Sequence, residues 1–265
     1  MKLHTGWIAT LASTALLIPA GNAAAITNGQ ADDGRHSYVG ALVSYDDAGK
    51  YLICTGTLVA PKVFVTAAHC LLDEPEDLYV SFDEFVGAPD VGPEVGLYHG
   101  QAKGHPLFVD ETAPGDTHDI AVVVLDEAVR GIRPALLPKR NLLARLDRQG
   151  LEDEFRYTSV GYGRHGQKDG EFFGGGGRRF AYSKWLSLEP AKLNLDQRGS
   201  LGGSCRGDSG GPVLLGDTRI LVGIISDGDP NCEESSVNYR VDTKSALAFV
   251  ERTLKSVRKD RDDRD

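Results

Sequence analysis

Six residues, Gly207-Asp208-Ser209-Gly210-Gly211-Pro212, limit what this chain can become more than any other stretch. Three glycines and a proline in so short a span forbid a regular helix or strand. The backbone must turn sharply here and leave into the apolar run Val213-Leu214-Leu215. The turn presents one hydroxyl, that of Ser209, between small neighbours. A serine attacks a carbonyl only with a base to take its proton, a group that orients the base, and donors for the oxyanion that forms. Gly207 lets the chain bend so that the amides of Gly207 and Ser209 point into one hole. Taken alone, the stretch reads equally well as a glycine-rich β-turn, so its partners decide.

Two other stretches supply them. Thr66-Ala67-Ala68-His69-Cys70 follows the short strand pattern Val63-Phe64-Val65, and sets an imidazole among small residues beside a cysteine that can fix the backbone. Asp119 opens the buried apolar run Ile120-Ala121-Val122-Val123-Val124-Leu125. A carboxylate there is costly unless hydrogen-bonded, and orienting the second nitrogen of a histidine would satisfy it. Each has an ordinary alternative: a structural histidine, or an aspartate capping a strand start. His118 is a rival base, although its place just before the strand suits a solvent-facing residue, and Asp116 reads as a turn residue.

Residues 1–25 differ from the rest. Lys2 precedes an apolar stretch from Trp7 to Ala20, followed by Gly21-Asn22-Ala23-Ala24-Ala25, the pattern of a secretory signal with a small-x-small cleavage site. About fourteen apolar residues are too few to span a bilayer. Export predicts disulfides for the four cysteines. Three pairings are possible, and a zinc site is disfavoured because CxxC spacing and a histidine pair are missing. The net charge is −9, and setting aside one positive charge in the leader and a net one in the tail leaves about −11 on the body. That argues against nucleic acid or an anionic membrane as partner.

Short β patterns run through the body: Tyr38–Val43, Tyr51–Cys54, Thr57–Val59, near Leu78–Phe82, Val95–Ala102, then Tyr157–Tyr162, Lys184–Leu188, Val213–Leu215, Ile220–Ile225 and Asn238–Val241. Helix patterns are confined to Asn141–Gln149 and to Lys244–Leu254, capped by Asp242 or Thr243. Many short strands in two halves suit a pair of antiparallel barrels. Residues 255–265, KSVRKDRDDRD, read as a charged, disordered tail. Gly174–Gly177, after Phe172-Phe173, reads as a flexible surface loop open to self-cleavage, and lacks the GK[ST] ending of a phosphate loop. Arg178 and Arg179 add nothing decisive.

Together TAAHC (66–70), DIAVVVL (119–125) and GDSGGP (207–212), in that order and fifty and then ninety residues apart, resemble the trypsin/chymotrypsin family of serine endopeptidases, in a secreted, bacterial-type form. The resemblance covers Ile26 to about Leu254. It implies an all-β fold of two antiparallel six-stranded barrels, 26–135 and 136–254, with a C-terminal helix and the active site between them. It assigns Ser209 as nucleophile, His69 as base, Asp119 as its orienter, and the Gly207 and Ser209 amides as oxyanion hole. It pairs Cys54 with Cys70 and Cys205 with Cys232. It also identifies Ile26-Thr27-Asn28-Gly29 as a segment whose freed ammonium pairs with Asp208. Because Ala23-x-Ala25 ends directly at Ile26, leader removal itself is expected to expose that amine.

The resemblance puts Gly203 and Ser204 at the base of the specificity pocket, Ser226, Asp227 and Gly228 on one wall and Val237 on the far wall. Gly203 stands where relatives that cut after Lys or Arg carry aspartate. Val237 at a position usually occupied by glycine implies a shallow, apolar pocket. Asp227 replaces a tryptophan, and with Asp229, Glu233 and Glu234 nearby, selection of a basic side chain stays open. The implied partners are protein or peptide substrates acted on by a monomer, with no cofactor, metal, nucleic acid or membrane. The reading from another class is a non-catalytic binding module on the same fold; no triad residue is missing to favour it.

Overall fold

The computed structural model describes residues 26–46, 49–72, 78–86 and 96–262. The leader, and the last three residues of the tail, lie outside them. After the short β1 (Gln30–Ala31), the strands β2 (Val39–Asp46), β3 (Gly49–Ala60), β4 (Val63–Thr66), β5 (Tyr79–Ser81), β6 (Leu97–Gly104) and β7 (Ala121–Leu125) close a barrel in the order β2-β3-β4-β7-β6-β5. A helix α1 (Leu142–Gln149) leads to β8 (Tyr157–Gly161), the hairpin β9 (Gly166–Lys168) and β10 (Glu171–Phe173), then β11 (Arg179–Leu188), β12 (Lys192–Asp196), β13 (Pro212–Leu215), β14 (Leu221–Gly228) and β15 (Ser235–Arg240). The order β11-β12-β15-β14-β13-β8 closes on itself because β8 also pairs with β11, giving a second six-stranded antiparallel barrel. Helix α2 (Lys244–Asp262) ends the described chain. The expected fold class is the observed one.

The first barrel forms where the sequence is most continuously apolar. Val63, Phe64 and Val65 on β4 pair with Val124, Val123 and Val122 on β7, and all but Val124 are almost fully buried. Gly56 on β3 is what admits Phe64, since a Cβ there would come within 2.3 Å of its ring. In the second barrel, Leu143 and Leu146 of α1 pack with Tyr157, Leu193, Leu195 and Val213. Among the described residues no helix is long and apolar enough to cross a membrane.

Several expectations need correction. The patterns 51–54 and 57–59 belong to one strand, β3, and β12 was not anticipated. The two halves exchange their ends. β1 pairs with β11 of the second barrel, while Leu254 and Val257 of α2 pack against the core that contains β4 and β7. The charged tail is not disordered where it is described: α2 continues through Asp262, because Leu254 and Val257 are one turn apart and extend the packed face.

Gly174–Gly177 is not a loose loop either. Gly176 donates to the Tyr162 carbonyl at 2.7 Å and accepts from the Val86 N–H at 2.8 Å, and Gly175 donates to His165 Nε2 at 2.8 Å. Gly174, at φ +69°, has no space for a side chain against the His165 ring. Arg178 is a structural centre. Its Nε donates to Asp32 Oδ2 at 2.8 Å, and its Nη1 to the carbonyls of Val39 and Phe82 and to the Tyr162 hydroxyl. Burial pushes the Asp32 carboxyl up, but hydrogen bonds from His36 and Arg178 outweigh it and hold it below the usual carboxylate range. One buried cation thus joins the N-terminal arm to both barrels.

Candidate active site

Strand pairing explains why residues fifty positions apart meet. Thr66 at the end of β4 is opposite Ala121 at the start of β7. The chain beyond Thr66 and the chain before Ala121 therefore emerge side by side, carrying His69 and Asp119. His69 begins a single 3₁₀ turn, His69–Leu71, tied back to β3 by the disulfide Cys54–Cys70. Asp119 is wholly buried and grips the histidine twice. Its Oδ1 accepts from the His69 backbone N–H at 2.9 Å, and its Oδ2 lies 2.8 Å from His69 Nδ1. The Ser226 hydroxyl also donates to Oδ2.

These contacts set the charges. Burial pushes the Asp119 carboxyl up, but the hydrogen bonds and charge of His69, with the Ser226 hydroxyl, outweigh it, and the carboxyl sits below its usual range. Burial lowers His69. The hydrogen bond and charge of Asp119, with the charges of Glu111 and Asp227, more than reverse this and leave the imidazole above its ordinary value. The carboxylate therefore stays ionised and fixes which ring nitrogen carries the proton.

Ser209 reaches the same place from the second barrel. Its carbonyl accepts from Thr55 N–H on β3 at 2.8 Å, and the next residue, Gly210, donates to Ile225 on β14 at 2.8 Å, so both barrels hold the loop. Gly210, at φ +78°, is pressed so close to Thr66 and Thr55 that no Cβ fits. Gly207, at φ +91°, is similarly confined to glycine by the Gly163 backbone. Among the described residues neither the Gly207 nor the Ser209 N–H has a hydrogen-bond partner. Asp208 points inward, its carboxylate accepting from Gly163 N–H and Cys205 N–H, both at 2.8 Å. Burial lifts its carboxyl to about 7 against the pull of those two bonds.

A crevice of about 290 Å³ is lined by both His69 and Ser209, with Glu111, Ser204, Ser226 and Asp227 among its walls. No direct hydrogen bond joins Ser209 to His69 among the described residues; such contacts commonly tighten only when substrate arrives. Cys205 is bonded to Cys232, clamping the nucleophile loop to the opposite wall. The sulfur atoms of Cys54 and Cys70 lie within 4.8 Å of a His69 nitrogen, but oxidised to a disulfide they have no thiolate to offer a metal.

The rival base His118 is elsewhere. It stacks on His105 with ring centroids 4.5 Å apart, and its Nδ1 is 3.1 Å from the Ser245 hydroxyl on α2. Ile26 is wholly buried, and Thr27 bridges to Gly203 through paired backbone hydrogen bonds. Of the expected pocket residues, Ser204, Ser226, Asp227 and Gly228 line the crevice. Gly203 and Val237 are not among its lining residues; Val237 pairs with Asp227 across β15 and β14, so the two side chains share one face of the sheet. Gly203 is backed by Gln197, whose Oε1 would lie 1.9 Å from a Cβ there. Two roles escaped the sequence reading, the Ser226 hydroxyl on Asp119 and Gln197 behind Gly203. Both are contacts between distant segments that no local pattern announces.

The profile of the family described as Trypsin matches residues 26–172 and 181–250. The chain is 28% identical to granzyme M of Homo sapiens over 73% of its own length and 75% of that protein. It is 28% identical to CLIP domain-containing serine protease B10 of Anopheles gambiae over 76% of its length and 61% of the relative. Lectizyme of Glossina austeni is 27% identical over 83% and 81%. These relatives are animal proteins, so they lend nothing to a bacterial type. With the profile covering both barrels and the whole site just described, the chain belongs to the trypsin family of serine endopeptidases.

Proposed function

We propose that Ser209, His69 and Asp119 act as one catalytic unit on peptide bonds of protein or peptide substrates, in a secreted, monomeric enzyme. The observation that carries this is the doubly hydrogen-bonded Asp119–His69 pair in one crevice with Ser209 and two unused amides. The Ser209 oxygen attacks the carbonyl carbon while His69 Nε2 takes its proton. The tetrahedral oxyanion is received by the N–H groups of Gly207 and Ser209. The C–N bond breaks as His69 returns the proton to the leaving amine, leaving an acyl ester on Ser209. Water, deprotonated by His69, attacks the ester and regenerates the serine. The backbone of Ser226–Gly228 offers an edge on which an extended substrate can pair.

The same reading covers maturation: leader cleavage after Ala25 frees the Ile26 amine, which pairs with Asp208. Supporting it, Ile26 is buried with φ +65°, an unfavourable setting for a β-branched residue. Cleavage before Ile26 abolishes that restraint, and Asp208 is a buried carboxylate with only amide donors. The tests are hydrolysis of a mixed peptide library and N-terminal sequencing of the secreted protein. Ser209→Ala alone should remove nearly all turnover, and adding His69→Ala should cost almost nothing further, as for residues acting as a unit. Additive losses, or a first residue other than Ile26, contradict the respective parts.

A further inference from the structure

The crevice has two walls, Ser204–Arg206 and Ile225–Cys232, joined by Cys205–Cys232. Gln197, the residue after β12, bridges them from behind. Its backbone N–H donates to the Glu234 carbonyl at 3.0 Å, beyond one wall, and its Nε2 to the Ser204 carbonyl at 3.4 Å on the other. Its far side lines a second groove of about 510 Å³ with Thr27, Asn28 and Cys232. Gln197 lines that groove and reaches the crevice wall through its bond to Ser204, and its carboxamide fills the place of the side chain absent at Gly203. Gln197 is 2% exposed, and its Oε1 has no hydrogen-bond partner among the described residues. Buried carbonyl oxygens are rarely left unpaired, and one retained beside a binding crevice calls for a donor from the ligand.

We propose that Gln197 is a specificity-determining residue: its carboxamide closes the floor of the pocket that takes the side chain preceding the scissile bond, and its Oε1 accepts a hydrogen bond from that side chain. The class selected is a neutral side chain ending in a donor, a carboxamide or hydroxyl, over a hydrocarbon of equal length. A cationic side chain gains nothing from the floor, which carries no countercharge; the carboxylates of Glu111 and Asp227 lie on the walls beside His69. Asp229, on the adjacent wall, is already engaged by the N–H groups of Asn231, Glu233, Glu234 and Ser235.

The inference rests on the endopeptidase reading, and one experiment separates the two. Peptides differing only before the cut, Gln against Met and Asn against Leu, are assayed with wild type and Gln197→Met, and a separate sample of wild type is treated with a fluorophosphonate to test labelling of Ser209. Wild type should favour Gln over Met and Asn over Leu by about ten-fold or more in kcat/KM, the scale of a buried acceptor left unpaired. Gln197→Met should abolish or reverse that ratio, and Gln197→Glu should shift preference toward Lys and Arg. A labelled wild type that prefers Leu, Phe, Lys or Arg overturns the proposal, as does an unchanged ratio in Gln197→Met. If that variant does not fold, the wild-type profile alone decides. Failure of the wild type to label would instead contradict the endopeptidase reading itself.

Discussion

A chain extended by even one residue before Ile26 is predicted to lose stability progressively as pH rises, because Asp208 then has no cation. With Ile26 still joined to Ala25, the Asp208 carboxylate is fully buried and bonded only to two amides. Burial lifts its carboxyl from 3.8 to about 7. A rise of about 3 units corresponds to about 4 kcal/mol at ~1.36 kcal/mol per unit, in line with the ~3–5 kcal/mol cost of breaking a buried pair. Because the folded value lies above the unfolded one, the folded chain holds more protons between about pH 4 and 7. Its stability therefore falls across that interval and levels off above it. In the chain that begins at Ile26, an ammonium beside Asp208 restores the ionised form and removes the loss. The assay is urea unfolding of both forms between pH 4 and 8, each carrying Ser209→Ala to prevent self-digestion. The two stabilities should lie closest near pH 4 and separate to about 4 kcal/mol by pH 7.5, roughly 10 °C in Tm for a chain of this size. Asp208→Asn in the extended form should flatten its pH dependence. A gap that does not change with pH, or an extended form as stable and active as the other, refutes the reasoning.

His69 must be neutral to act as base, and its pKa is raised, so kcat/KM should climb with pH through a limb centred above the ordinary imidazole value. The charges of Glu111 and Asp227 contribute to that rise; Glu111→Gln and Asp227→Asn should each move the limb to lower pH, and a limb that stays put or moves up speaks against the assignment. Arg178→Met should cost up to about 3–5 kcal/mol in urea unfolding because it removes the guanidinium from a buried pair and leaves Asp32 with His36 alone. Pairing it with Asp32→Leu should recover most of that loss, and a double variant no better than the single one contradicts the account.

How much of this was legible in the sequence depended on distance along the chain. The triad motifs and both disulfide pairings came from short local patterns matched to a family, and the chemistry of each residue type supplied the rest. The barrels were visible as short strand patterns, but Gly56 and the bulges of β3 hid the continuity of residues 49–60. Arg178 gave no decisive signal, since nothing in its neighbourhood points to Asp32, 146 positions away. Helix α2 outran its expected end because Leu254 and Val257 find partners on the other barrel. A charge-rich sequence does not reveal that.

The most direct measurement is to treat the protein starting at Ile26 with a fluorophosphonate and locate the adduct by peptide mass spectrometry. One adduct per chain, on Ser209, is predicted, formed far more slowly in His69→Ala. An unmodified protein, an adduct on Ser204 or Ser226 instead, or a labelling rate indifferent to His69 would contradict the account.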